Sequence, residues 1–164
     1  MHIPVLLNEV IEYLNLKPGD KIIDATFSAG GHASAVLEKI KPKGKILGIE
    51  LDTELFNKAR EKFGGVKEII LINDNYRDLK KIARENDFLE ADGILFDLGM
   101  SGWHLSESGR GFSFQKDEPL DMRYSKIQNL TAAEIVNQWP PKEIERILQE
   151  FGEEKFSRPI SRAI

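Results

Sequence analysis

Residues 22–37 read IIDATFSAGGHASAVL. An apolar strand ends on a carboxylate, turns through small residues and enters an apolar pattern of helical spacing. This is one strand–turn–helix unit, and the sequence around it repeats the unit. Residues 5–14 have the spacing of an amphipathic helix closed by LKPGD, after which KIIDATF (21–27) forms the first strand. Ala33–Ile40 is expected as a helix, KPKG (41–44) as its turn and KILGIE (45–50) as a strand. Thr53–Phe63 follows as a helix capped by Asp52 or Thr53. KEIILIN (67–73) is the third strand, Tyr76–Asp87 a helix, and ADGILFDLG (91–99) a fourth strand too apolar to have a wet face. Four such alternations imply an α/β fold with a parallel, doubly wound sheet.

The pattern changes after Gly99. Residues 100–124, MSGWHLSESGRGFSFQKDEPLDMRY, show no sustained period and are expected as a long loop, ordered by its aromatic residues. LTAAEIVNQW (130–139) then carries a Thr131-x-x-Glu134 capping box, and PKEIERILQEF (141–151) a second amphipathic helix ending at Gly152.

The 164 residues, 41% of them hydrophobic, suffice for one sizeable core. No apolar run approaches the roughly eighteen residues of a membrane span, and Asn8, Glu9 and Glu12 interrupt the N-terminal pattern. The expectation is a soluble, cytoplasmic protein without membrane association. The sequence has no cysteine and three scattered histidines, His2, His32 and His104, which argues against a bound metal. A net charge of −4 excludes a broadly basic surface, and residues 101–164 hold nine Lys/Arg against ten Asp/Glu. Contact with nucleic acid would have to be local.

Ligands of open parallel sheets sit at the carboxyl ends of the strands, beside the point where strand order reverses. Here those ends carry Asp24 with its TFSAGGH turn, Glu50-Leu51-Asp52, Asn73-Asp74-Asn75-Tyr76 and Asp97-Leu98-Gly99. Gly30 and Gly31 permit a close backbone approach at a helix start, although a tight β–α connection alone has the same appearance. Glu50 stands twenty residues after Gly30, the spacing at which an acid accepts from ribose hydroxyls. The turn lacks the G-x-G-x-x-G of dinucleotide sites and any basic residue nearby in sequence. A nucleoside bearing an amino acid, as in S-adenosyl-L-methionine, fits better. Asp24 would receive its ammonium and Glu50 its ribose.

These blocks resemble the bacterial small-subunit ribosomal RNA methyltransferase H family. The resemblance runs through HIPVLLNEV, DATFSAGGH, GIELD, DGILFDLGMS, RGFSFQKDEPLDMR, TAAEIVN and FGEEKFSRPISRAI. It implies a Rossmann-like methyltransferase sheet and methylation of the exocyclic amine of a cytidine in 16S rRNA, with small ribosomal subunit rRNA as partner. It also implies cofactor contacts from Gly30, Gly31, His32, Glu50, Tyr76 beside the adenine, Asp97 and His104. Residues 1–100 would form part of the cofactor domain, 101–130 an active-site loop and 131–164 part of a helical substrate-recognition insert.

The sequence departs from the family pattern at four places: Ser28-Ala29 for Gly-Arg, Glu50 for Asp, Tyr76 for Phe, and Gly102-Trp103-His104 for Ser-Pro-Gln. Glu50 keeps an acceptor and Tyr76 a stacking face, whereas an imidazole at 104 cannot both donate and accept as an amide does. Cytosine's amine has its lone pair delocalised into the ring, so its N–H hydrogens need an acceptor. Asp97 and the Leu98 carbonyl are the expected catalytic acceptors, with a purely cofactor-binding Asp97 as the alternative. Trp103, Phe112 and Phe114 are candidates to stack a flipped base or to anchor the loop. Arg110, Arg123, Arg158 and Arg162 are candidates for phosphate contacts or for ion pairs. His2 and Pro4 are expected to fix the N-terminal helix. The family continues beyond Ile164, so an unpaired sheet edge beside Asp97 is expected, with homodimerisation or aggregation through it. A non-catalytic, cofactor-binding or self-associating fragment is the competing reading.

Overall fold

The computed structural model describes residues 4–164, so His2 lies outside the described residues. The chain forms two compact units, one running to Ser101 and the other comprising Gly102–Ile164.

The first unit is an α/β sheet of four parallel strands. β1 (Lys21–Asp24), β2 (Lys45–Ile49), β3 (Ile69–Ile72) and β4 (Gly93–Leu95) lie in the order β3-β2-β1-β4. Strand order reverses between β1 and β4. Side chains alternate between two apolar layers, as the pleat requires. Ile22, Ile46 and Ile69, in register with one another, pack with Ile11 and Leu14 of α1 (Leu7–Leu14), Val36 and Ile40 of α2 (Gly31–Ile40) and Ala59 and Phe63 of α3 (Thr53–Phe63). On the opposite face Ile23, Leu47 and Ile49 pack against Ile82 and Ala83 of α4 (Leu79–Glu85) and against Phe88. Helices therefore cover both faces, which is the doubly wound arrangement.

Local chemistry sets the boundaries. The Asp52 carboxylate accepts from the Glu54 and Leu55 N–H groups and starts α3, a cap of about 1 kcal/mol. Asn75 accepts from Arg77 N–H and bends the expected 76–87 helix into a 3₁₀ turn, Tyr76–Asp78, before α4. The first strand is shorter than KIIDATF: Ala25 N–H still donates to Leu95 O at 2.9 Å, and the regular pairing ends there. Phe27 N–H instead donates to Ile49 O at 2.9 Å, and the Phe27 ring turns inward against Phe63, edge to face at 5.4 Å.

β4 differs from the fully buried strand that its composition suggested. Ile94 and Phe96 are 46% and 44% exposed. β4 is an edge strand, and α4 packs over Ile23, Leu47 and Ile49 rather than over β4. Apolar composition alone does not say which strand lies at the edge.

In the second unit the long loop contains a short helix, α5 (Gly102–Ser106). Then come α6 (Ala132–Gln138), α7 (Pro141–Glu150) and α8 (Ser157–Ala163). The capping box forms at α6: Thr131 Oγ1 accepts from Glu134 N–H at 3.2 Å, and Glu134 accepts from Thr131 N–H at 2.8 Å. Pro141 occupies the first turn of α7, where its missing N–H costs no hydrogen bond.

Candidate functional site

The carboxyl ends of β1, β2 and β4 bring Asp24, Glu50 and Asp97 together with His32. Asp24 is only 3% exposed. One of its oxygens accepts from Thr26 N–H at 3.2 Å, and the other has no hydrogen-bond donor among the described residues. Burial pushes its carboxyl up from 3.8 to about 7. The Thr26 N–H and His32 oppose that rise, while Glu50 and Asp97 reinforce it. A buried carboxyl with an unused acceptor among other acids is a site for a cation.

Glu50 is buried and holds two loops in place. Its Oε2 accepts from Ser28 N–H at 2.8 Å and its Oε1 from Asp52 N–H at 2.7 Å. Asn73 donates to the Glu50 carbonyl at 2.7 Å, tying the end of β3 to the end of β2. Asp97 N–H donates to Thr26 Oγ1 at 2.8 Å, fixing the start of the Asp97-Leu98-Gly99 segment over β1. Asp97 is exposed, Leu98 more so, and Gly99 has φ +142°.

The glycine turn holds more of its own core than the sequence suggests. Gly30 has φ +69°, and a Cβ there would lie 2.4 Å from the Phe63 ring and 2.8 Å from that of Phe27; a Cβ on Gly31 would meet Pro4 at 2.5 Å. Part of the close approach expected of this turn is thus to protein. The α2 N-terminus still offers first-turn N–H groups. His32 in that first turn is buried, with Nε2 3.0 Å from Val5 O and Nδ1 3.8 Å from Asp97 Oδ2. Tyr76 is half-exposed and meets the exposed Phe96 edge to face at 5.6 Å. Together they present an aromatic platform.

His104 lies in the second unit. Its ring is buried among Tyr124 at 4.5 Å, Phe112 at 5.1 Å and Trp103 at 5.3 Å. Arg110 is buried over Trp103 and donates to the carbonyls of Arg123 and Tyr124 at 3.0 and 3.1 Å. Arg123 is paired with Asp121 at 2.7 Å, which holds the Asp121 carboxyl below its usual range. Trp103 and Phe112 therefore anchor the loop, whereas Phe114 is 98% exposed. Arg158 and Arg162 are exposed on α8.

Over residues 1–164 the sequence matches the model of the MraW methylase family. This chain belongs to that family. It is 42% identical over 163 residues to the ribosomal RNA small subunit methyltransferase H of Clostridium botulinum (strain Kyoto / Type A2), covering 99% of this chain and 53% of that protein. It is 44% identical over 166 residues to the protein of the same name from Dictyoglomus thermophilum, covering 100% of this chain and 56% of that protein. The chain spans about half the length of the curated relatives it matches. Among solved structures, a SAM dependent methyltransferase from Aquifex aeolicus aligns at TM-score 0.39 and 25% identity over 43% of this chain and 38% of that one.

The MraW methylase family uses S-adenosyl-L-methionine, and the free acceptor of Asp24 fits the cofactor's ammonium. Three contributors to the site carry no signal in residue type alone. Thr26 and Ser28 act through one hydroxyl and one N–H in the turn, and Lys62 reaches the turn from α3, its Nζ 3.3 Å from Ala29 O. Lys62 brings a cation to a turn with no basic residue beside it in sequence. Its place one residue before the end of α3 gave no hint of that contact.

Proposed function

We propose that this chain forms the cofactor-binding part of an rRNA methyltransferase that methylates the exocyclic amine of a cytidine in 16S rRNA, in the cytoplasm. The observation that carries the reading is the group of Asp24, Glu50 and Asp97 at the carboxyl ends of β1, β2 and β4, flanking the strand-order switch, with an unused acceptor on Asp24. Asp24 would accept from the cofactor's ammonium, and the α2 N-terminus at Gly30, Gly31 and His32 would receive its carboxylate. Glu50 would accept from the ribose hydroxyls, with Tyr76 beside the adenine. The family resemblance also implies a cofactor contact from His104, a residue of the second unit.

Bound there, S-adenosyl-L-methionine supplies an electrophilic methyl group. The protein's part is to prepare the amine. Asp97 and the Leu98 carbonyl would accept the amine's N–H hydrogens, localising the nitrogen lone pair and holding it toward the methyl. The Thr26 hydroxyl that anchors Asp97 N–H keeps this acceptor at a fixed height above β1.

The exposed edge of β4, with Ile94 and Phe96 open to solvent, supports a second reading: a cofactor-binding, self-associating fragment without turnover. Calorimetric titration with S-adenosyl-L-methionine tests the site, and methyl transfer to small ribosomal subunits separates the two readings. Absent binding, or binding unaffected by Asp24→Asn and Glu50→Ala, would refute both.

A further inference from the structure

Four exposed cations converge on a groove between α7 and α8. Lys142 and Arg146 on α7 and Arg158 and Arg162 on α8 line it, together with Gln149 and a single acid, Glu145. On each helix the two cations stand four residues apart, so both point to one face. The helices thus present two short basic rows to the same groove, in a chain whose net charge is −4.

The cations are not equivalent. Arg146 is clamped by Glu143 at 3.1 Å and Glu150 at 2.7 Å, which orient its guanidinium and neutralise it. Lys142, Arg158 and Arg162 have no side-chain hydrogen bond or ion pair among the described residues. Residues 155–164 contain Lys155, Arg158 and Arg162 and no acid at all. Three unneutralised cations held around one depression repel one another, and an anion lying between them removes that repulsion.

We propose that the α7–α8 groove is a track for the phosphate backbone of a single-stranded RNA segment. This rests on the rRNA reading given under Proposed function. The groove is open to solvent rather than an enclosed cavity, which suits a polymer rather than an enclosed small anion. Guanidinium groups recognise phosphate through paired N–H donors, whereas an ammonium contributes a point charge. Arg158 and Arg162 would take successive phosphates and Lys142 a third from the facing helix. Gln149, which both donates and accepts, faces the sugar hydroxyls between them. These contacts position the strand and carry no sequence information.

The test uses the 164-residue chain and a labelled single-stranded RNA of roughly twelve nucleotides, within the usual site size of strand-tracking proteins. Anisotropy is followed across a salt series. The triple variant K142Q/R158Q/R162Q is expected to bind about tenfold more weakly at low salt and to lower the slope of log K against log salt by about 2, since each single-strand phosphate contact contributes roughly 0.7. The variant K39Q/K43Q/K67Q removes the same charge from exposed lysines of the first unit and should leave affinity and slope unchanged. All three substituted side chains of the groove are exposed, and circular dichroism with cofactor titration verifies that the variant is folded. Equal binding by wild type and groove variant, or equal loss in the control, overturns the groove while leaving the rRNA reading intact. A wild-type chain that binds cofactor but no RNA overturns both. Displacement of the RNA by polyglutamate with no loss in the groove variant also counts against the track.

Discussion

The imidazole of His32 stands between two chain segments far apart in sequence: its Nε2 lies 3.0 Å from the Val5 carbonyl and its Nδ1 3.8 Å from Asp97 Oδ2. A carbonyl only accepts, so Nε2 carries the hydrogen and Nδ1 faces the carboxylate. That bond ties the N-terminal segment to the start of α2, with Asp97 beside the ring. His32→Ala removes the hydrogen bond to the Val5 carbonyl and is expected to cost about 0.5–1.5 kcal/mol of stability. Cofactor affinity should fall with it. Thermal unfolding and calorimetric titration read both effects, and a variant unchanged in each would remove His32 from the site.

Asp24 gives the protein a characteristic pH response. The unfolded chain loses this proton near 3.8, whereas the folded chain keeps it to about 7. Between those values the native state binds more protons, so stability falls as pH rises through that window. The loss amounts to a few kcal/mol at roughly 1.4 kcal/mol per pH unit. Asp24→Asn should flatten this part of the melting-temperature profile. Cofactor binding at pH 6 should also release a proton, because an ammonium favours the ionised carboxylate. Titrations in two buffers of different ionisation enthalpy measure that proton, which should be absent from the Asn variant.

Gly30→Ala places a methyl group within 2.4 Å of the Phe63 ring at a backbone φ of +69°. Overpacking and backbone strain act in the same direction, and a loss of about 1–3 kcal/mol is expected in denaturant unfolding. Phe63→Leu in the same chain should recover the packing part and not the strain.

The edge of β4 should make the chain self-associate. Ile94, Phe96, Leu98 and Met100 are alternate residues along one edge segment and all are exposed, and an open apolar edge pairs readily with another. Light scattering at rising concentration should show dimers or larger species. Ile94→Lys should shift them toward monomer.

Much of this arrangement was readable in the sequence because it rests on short-range chemistry. The Asp52 cap, the Thr131–Glu134 box and the strand-ending acids each depend on residues within a few positions of one another. The spacing of Glu50 after Gly30 is likewise a property of one β-α-β unit. What stayed hidden depends on tertiary neighbours. Gly30 packs against Phe63 of α3, Lys62 reaches the turn from the same helix, and His104 is enclosed by Tyr124 twenty residues later. The exposure of Ile94 escaped composition for the same reason: a strand's neighbours decide whether its apolar face is covered. Asp24, an ordinary strand-end acid in sequence, owes its unusual protonation to burial that no local pattern encodes.

Glu50 has a consequence for exchanging residues with relatives. Its carboxylate spans the gap between Ser28 N–H and Asp52 N–H, at 2.8 and 2.7 Å. Aspartate, the residue the family pattern carries at this position, is one methylene shorter and would reach only one of those donors. Glu50→Asp should therefore weaken the chain. The length of the side chain at position 50 thus sets how far apart the Ser28 and Asp52 backbones can stand while sharing one carboxylate.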